Sequence, residues 1–354
     1  MTDVLRIALG DQPYPANEQC VRDIVEQAMA NHILGQLPDL PPDTLMHESG
    51  KIAQQLIENA RLRADRDTAR NAFEVDRLQR ATLGLETKIV LLKGAAYHAL
   101  GLHAGVGRRS SDMDILVARH DLERVEKALR DHGYVDHITT IDPYAQAYYR
   151  NYMHELPPLI HKVRRTVIDV HHALSPMTAR VRETTDELID DAQPCQDKSV
   201  AVLTPTDRFL HAALHSLYDG ELAYPLRDML DLAFLYRDLS PGERNGLMNR
   251  AVAVGLEKPA ALAVRLLVMF GLAGEWDQPL PPSPAPITER IMAAMIKQGQ
   301  SEGLKAFYLY CRGHLLRMPV HQLAVHLSRK IWQRLRPQSA GPEVDQQTIE
   351  DHLR

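Results

Sequence analysis

LLKGAAYHALGLHAGVGRRSSDMDILV, residues 91–117, is the stretch whose reading decides the fold. It opens at the end of a short apolar run, Ile89-Val90-Leu91-Leu92, the pattern of a strand buried on both faces. Lys93-Gly94 closes that run, and residues 95–100 read as a short helix. Residues 112–117 read as a second strand. Side chains alternate across a strand, so Asp112 and Asp114 share one face while Met113, Ile115 and Val117 point into a core.

Two carboxylates side by side at a strand start repel each other, and a cation between them removes the cost. A divalent ion is the usual remedy, and hard oxygen ligands suit Mg²⁺ or Mn²⁺. Read alone, the pair is better taken as two solvated aspartates at a strand edge, and its context is what raises the metal reading. The loop before it, Gly107-Arg108-Arg109-Ser110-Ser111, adds guanidiniums and hydroxyls fit to hold phosphate oxygens, with a solvated turn as the bland alternative.

Outward from this stretch, Leu122, Val125 and Leu129 mark a helix capped by Asp121 and closed by Gly133. Further strands are expected near 134–139, 159–163 and 166–171. In the last of these, Asp169 and His171 share a face by the same parity, while Val167, Ile168 and Val170 supply bulk. A third carboxylate on a neighbouring strand would complete a two-metal cage. The expected core is a small mixed sheet with helices, over residues 86–175.

Both flanks read as helical. Between 15 and 85, Ile24, Ala28, Ile33, Leu34 and Leu37 precede the Pro-rich LPDLPPDT. Ile52, Leu56, Ala60, Leu62, Ala72, Val75, Leu78 and Leu83 then recur at helical spacing up to a stop at Gly84. Beyond Leu174 the helical period returns, with Thr204-Pro205-Thr206-Asp207 as a helix start and QPLPPSPAP, 278–286, as a break. The fold class is α+β: an N-terminal helical segment (1–85), the core (86–175), a C-terminal helical domain (176–336) and a polar tail (337–354).

With 354 residues, 45% apolar and 25% charged, the composition is that of a globular protein. The net charge of −5 argues against a general nucleic-acid coat. Cys20, Cys195 and Cys311 are scattered and no CxxC occurs, so no disulfide partner and no thiolate zinc site is expected. The start lacks a signal-peptide pattern, and the longest apolar stretch, 259–274, is interrupted by Arg265, so no membrane span is expected and a cytoplasmic setting is.

His211 and His215 stand at i and i+4, but HAALH lacks the glutamate of a zinc protease, so packed histidines are the expectation. Arg227, Asp228 and Asp231 read as a helix–helix salt-bridge set. His154, His161, His171 and His172 surround the third-carboxylate strands, with His171 the best polar neighbour of Asp169. There is neither a GxxxxGK[ST] nor a GxGxxG turn. The basic stretch 317–336 reads as the solvated face of a packed helix, with a membrane or nucleic-acid surface as the weaker option.

Taken in order, LLKG, RRSSDMDILV, HGY, IDVHHAL, FLHAALH and LRDMLDL resemble the uncharacterised bacterial nucleotidyltransferase family of the DNA-polymerase-β superfamily, from about residue 70 to about residue 240. The resemblance implies catalytic, metal-binding carboxylates at Asp112, Asp114 and Asp169. The superfamily's usual Gly-Gly or Gly-Ser turn falls here on Lys93-Gly94, and the gap from Gly94 to Asp112 is longer than the commoner spacing. Lys93 then supplies charge where other members use backbone N–H groups and a serine hydroxyl, and Lys93, Gly94, Arg108, Arg109, Ser110 and Ser111 would hold the triphosphate.

The expected function is transfer of an NMP from an NTP to a hydroxyl acceptor with release of pyrophosphate, using Mg²⁺ or Mn²⁺. The acceptor would be a protein side chain, a small molecule such as an antibiotic or sugar, or an RNA end. An aromatic content of 5% and the negative charge weigh against RNA. The alternative is a catalytically degenerate nucleotide-binding or partner-binding module on the same fold. A DxD glycosyltransferase would need a larger nucleotide-binding domain upstream, which the helical N-terminus speaks against.

Overall fold

The computed structural model describes residues 3–137, 153–195, 199–219, 221–274, 276 and 278–317. A seven-stranded mixed sheet lies at its centre, in the order β3-β4-β5-β2-β1-β7-β6. The strands are β1 (Val90–Leu91), β2 (Asp112–Leu116), β3 (Tyr134–Asp136), β4 (Leu159–His161), β5 (Val167–His171), β6 (Gln193–Pro194) and β7 (Ala201–Val202). β2 pairs antiparallel with β1 and parallel with β5. The five strands expected from sequence are all present. β6 and β7 extend the sheet beyond β1, and two-residue strands carry too short a pattern to be read in advance.

Helices surround the sheet: α1 (Asp3–Ala8), α2 (Glu18–Ala30), α3 (Glu48–Ala81), α4 (Lys93–Leu100), α5 (Leu122–Asp131), α6 (Thr185–Asp190), α7 (Pro205–Leu214), α8 (Pro225–Arg237), α9 (Pro241–Ala253), α10 (Glu257–Met269), α11 (Pro286–Gln298) and α12 (Gly303–Arg317). The architecture is therefore α+β, with helices before and after the sheet. Thr204 caps α7 by accepting from the Asp207 N–H at 3.2 Å, with Pro205 at the first position. The Pro-rich stretch 278–286 separates α10 from α11 as expected. Strand residues expected after 137, the basic stretch beyond Arg317 and the tail 337–354 lie outside the described residues.

Two local readings are corrected. Asp121 holds the N-cap position of α5, but its carboxylate caps nothing and instead pairs with Arg124. In α3 the expected apolar stripe is only partly the buried one: Val75 and Leu78 are buried, whereas Ile52, Leu56 and Leu62 are exposed, and Leu83 lies exposed past the end of the helix. The buried face of α3 includes Asp67, Asn71 and Glu74, which lie at helical spacing and are partnered across the interface. Asn71 Nδ2 lies 2.8 Å from His98 Nδ1 on α4. Glu74 accepts from the Tyr134 hydroxyl at 3.0 Å and from both ends of the Arg164 guanidinium, at 2.7 and 3.0 Å. A hydrophobicity pattern cannot reveal an interface built from paired polar groups.

Asn31, at the end of α2, ties the N-terminal helices to the C-terminal ones. It is buried, donates to Gly299 O at 2.9 Å and accepts from the Leu226 N–H at 3.1 Å, at the start of α8. An Asn31→Ala protein is expected to lose about 1–3 kcal/mol of stability, because two buried backbone groups lose their partner. Urea unfolding would show a lower midpoint at an unchanged slope. An unchanged midpoint would show that the tie carries no stability.

Candidate functional site

β1 delivers the chain to the site. Leu92 N–H donates to Asp114 O at 3.0 Å, which locks the end of β1 onto β2. The next residue, Lys93, adopts left-handed backbone with φ of +43°. A non-glycine residue there carries about 1–3 kcal/mol of strain, which the surroundings must offset. The offset is visible: Lys93 Nζ reaches Asp114 Oδ1 at 2.9 Å. Burial opposes the ammonium charge, but Asp114, helped by Asp112 and Glu155, outweighs it and lifts the Lys93 pKa above its ordinary value.

The parallel register of β2 and β5 sets Asp114 directly opposite Asp169, and Asp112 opposite Val167. Asp112, Asp114 and Asp169 therefore project from one face, as the alternation predicts, while Met113, Ile115, Ile168 and Val170 are buried. The three carboxylates differ sharply in environment. Asp112 is exposed. Asp114 is buried, yet Lys93 and the hydrogen bond from His171 Nε2, 3.0 Å from the same Oδ1, hold its carboxyl well below the usual range. Asp169 has only the weaker influence of His171 to lower it. Burial, then Asp114, Glu155 and Asp112, push it up to about 7, and its Oδ1 is a buried oxygen without a hydrogen-bond partner.

The 107–111 loop packs over the β1–α4 turn. A Cβ on Gly94 would sit 2.7 Å from Ser110 Oγ and 2.9 Å from an Arg108 guanidinium nitrogen, so a side chain there would force both of them to move. Gly107 has φ of +68°, and a Cβ there would come within 2.1 Å of Gly35 O. Arg109 Nε donates to Asp67 at 2.5 Å, and Ser110 N–H donates to the same Asp67 oxygen at 3.3 Å. Arg108 is buried and pairs with Asp231 on α8 at 3.0 Å. The salt-bridge set expected between helices is thus a loop-to-helix tie, because the buried guanidinium of Arg108 reaches Asp231 first.

A cleft of about 490 Å³ opens between loop, sheet and helices. Lys93, Gly94, Arg108, Arg109, Ser110, Ser111, Asp112 and Asp114 all line it, whereas Asp169 lies outside its wall. Its other side comes from residues that sequence reasoning did not place in the site: Asp67 of α3, Tyr97 of α4, Tyr224, and Arg227, Asp228 and Asp231 of α8. Asp228 is pushed up to about 7, by burial first and then by Asp231. His215 and Ser216 also line the cleft, on a π-helical turn, His215–Asp219, that continues α7. Such turns occur frequently at functional sites. The i, i+4 pair of His211 and His215 was the sequence signal for this turn.

The remaining histidines divide. His161 is structural: its Nδ1 accepts from the Val163 and Arg164 N–H groups, both at 3.1 Å. His172 is buried and held near 4 by desolvation, with no partner for either ring nitrogen. His211 is buried, and desolvation, then Lys93 and His171, bring it down to about 3. His154 lies beside His171, with ring centroids 5.3 Å apart.

The carboxylate row fits divalent cations. It presents oxygen donors from two adjacent strands, including an unpartnered buried oxygen, and burial first, then the neighbouring carboxylates, raises the Asp169 pKa. Among the described residues, the Lys93 ammonium and the His171 imidazole are bonded to the row, both at Asp114. Residues 19–270 match the family described as uncharacterised nucleotidyltransferase. No curated protein matches the chain. Cys20, Cys195 and Cys311 are free thiols, and among the described residues no helix is long and apolar enough to cross a membrane.

His211 yields a pH prediction. Its folded pKa of about 3 lies below the unfolded value near 6.5, so the unfolded chain takes up a proton first as pH falls. Its contribution is complete above pH 6.5 and is lost as pH falls toward 3. The urea midpoint should therefore drop between pH 7 and pH 4. The drop should be smaller in His211→Gln, and equal drops in the two proteins would exclude His211 as a source.

Proposed function

The chain belongs to this nucleotidyltransferase family, and on that premise we propose that it transfers an NMP from an NTP to a hydroxyl acceptor and releases pyrophosphate, in a metal-dependent reaction of the polymerase-β type. The observation that carries the reading is the register of Asp114 against Asp169, with Asp112 on the same face, beside a cleft lined by Lys93, Gly94 and the 107–111 loop.

Asp112, Asp114 and Asp169 are the residues that would hold Mg²⁺ or Mn²⁺. Bound there, such ions would neutralise charge on the phosphates and lower the pKa of the attacking hydroxyl. The residues of the chain do the rest. Lys93 balances Asp114 and brings its ammonium to the cleft wall where phosphate oxygens would lie. Gly94 leaves room above the turn, and Ser110 and Ser111 offer hydroxyls. Arg109, half exposed, can swing from Asp67 to a phosphate, while Arg108, tied to Asp231, fixes the loop and contributes field. Asp169 orients the acceptor hydroxyl and takes its proton. The acceptor oxygen bonds to the α-phosphorus, the bond from that phosphorus to the bridging oxygen breaks, and pyrophosphate leaves.

The acceptor is a protein side chain or a small molecule rather than RNA, in keeping with the net charge of −5. Three free thiols suit a reducing, cytoplasmic setting. A second reading, a nucleotide-binding module without turnover, is favoured by the position of Asp169 off the cleft wall and by the double engagement of Asp114 Oδ1.

The deciding experiment uses α-labelled NTPs with Mg²⁺ or Mn²⁺, with and without cell extract. Wild type should transfer label and release pyrophosphate. Asp112→Asn, at an exposed position that leaves the fold intact, should lose about 10²-fold or more, as should Asp114→Asn. Arg109→Ala should raise KM more than it lowers kcat. Metal-dependent nucleotide binding without turnover in wild type would overturn the transferase reading and leave the module.

A further inference from the structure

Next to the carboxylate row stands a donor group of different chemistry. His154, Glu155 and His171 each bring one ligand-capable atom to within 4.8 Å of the others. Backbone pairing holds them there. Leu156 N–H donates to Val170 O at 2.9 Å, and His172 N–H donates to His154 O at 2.8 Å. Glu155 thereby forms an antiparallel bridge with His171, at the end of β5. The positions are set by the sheet and not by loop side chains.

The side chains complete the arrangement. His171 Nε2 lies 3.6 Å from the Glu155 carboxylate, and the imidazoles of His154 and His171 stand with ring centroids 5.3 Å apart. His154 Nδ1 is buried and has no hydrogen-bond partner. A buried polar atom without a partner is destabilising, and coordination is one way in which it is satisfied. Two imidazoles and one carboxylate are a donor set for Zn²⁺, Co²⁺, Mn²⁺ or Fe²⁺ and leave positions open. Mg²⁺ demands oxygen ligands and gives up water reluctantly.

We propose that His154, Glu155 and His171 form a transition-metal site, distinct in its ligands from Asp112, Asp114 and Asp169, that prefers ions of the zinc and cobalt class over Mg²⁺. The proposal does not depend on the nucleotidyl-transfer reading. It does link the two groups, because the His171 nitrogen that faces Glu155 is the one that contacts Asp114 at 3.0 Å. An ion bound through that nitrogen needs its lone pair, so the ring keeps its proton on Nδ1 and can no longer donate from Nε2 to Asp114. Occupancy of the site and the His171–Asp114 hydrogen bond then exclude each other.

Co²⁺ is the probe, added to the full-length protein and followed by visible absorption and titration calorimetry. Wild type should develop a ligand-field band of a nitrogen-bearing site, and excess Mg²⁺ should leave it in place. His154→Ala and the near-isosteric Glu155→Gln should each weaken binding by about tenfold or more, with thermal melts confirming the fold. If His154→Ala fails to fold, Glu155→Gln decides alone. Asp112→Asn should keep the band even where it loses pyrophosphate release, which separates this site from the carboxylate row. No band in wild type would overturn the proposal. So would a band unchanged in the folded variants, or one lost in Asp112→Asn and bleached by Mg²⁺.

Discussion

Asp114 is the group on which the rest of the site depends. A carboxylate buried in a sheet is tolerated only when paired, and Asp114 Oδ1 takes both Lys93 and His171. Those contacts join three pieces of chain: the β1–α4 turn, β2 and β5. They also explain an asymmetry. Asp114 takes the Lys93 and His171 hydrogen bonds and stays ionised, whereas for Asp169, its partner across the strands, burial and carboxylate neighbours outweigh the smaller effect of His171, and it rises to about 7. Two aspartates one strand apart thus differ in protonation near neutral pH because the pairing is unequal, not because their backbones differ.

α3 supplies the second constraint. Its buried face carries Asp67, Asn71 and Glu74, each engaged with a different part of the core: the 107–111 loop, α4, and β3 with Arg164. Paired polar groups fix angle and register more narrowly than apolar contact does. The N-terminal helix therefore sets the height of the loop that roofs the cleft, and Asp67 is itself part of the cleft lining. A helix that reads as a flank is a wall of the site.

Much of this was legible in the sequence, for identifiable reasons. The alternation of Asp112, Met113, Asp114 and Ile115, and of Ile168, Asp169 and Val170, fixed the face of each aspartate, because strand parity is independent of tertiary context. The Lys93-Gly94 turn and the small, basic loop were visible as breaks in apolar runs. What pairing across the sheet would bring together was not visible. Nothing local says that β5 lies parallel to β2 at the offset that opposes Asp114 to Asp169, nor that Glu155 comes to face His171. The buried stripe of α3 was hidden for the opposite reason: residues such as Leu56 and Leu62 satisfied the periodicity and yet face outward. Asp231 was noticed, but its partner, 123 residues earlier in the chain, was not.

Gly35 and Gly107 meet backbone to backbone, and a side-chain carbon on either would collide with the carbonyl of the other, at 2.6 and 2.1 Å. The roof of the cleft consequently rests on a short 3-10 turn, Leu34–Gln36, more than seventy positions upstream in the chain. Grafting the segment that follows that turn onto a foreign N-terminal portion would keep every acidic side chain of the sheet and still let the roof settle differently. The smallest transplantable unit of this site therefore begins well ahead of its chemistry, at the abutment of two bare peptide planes.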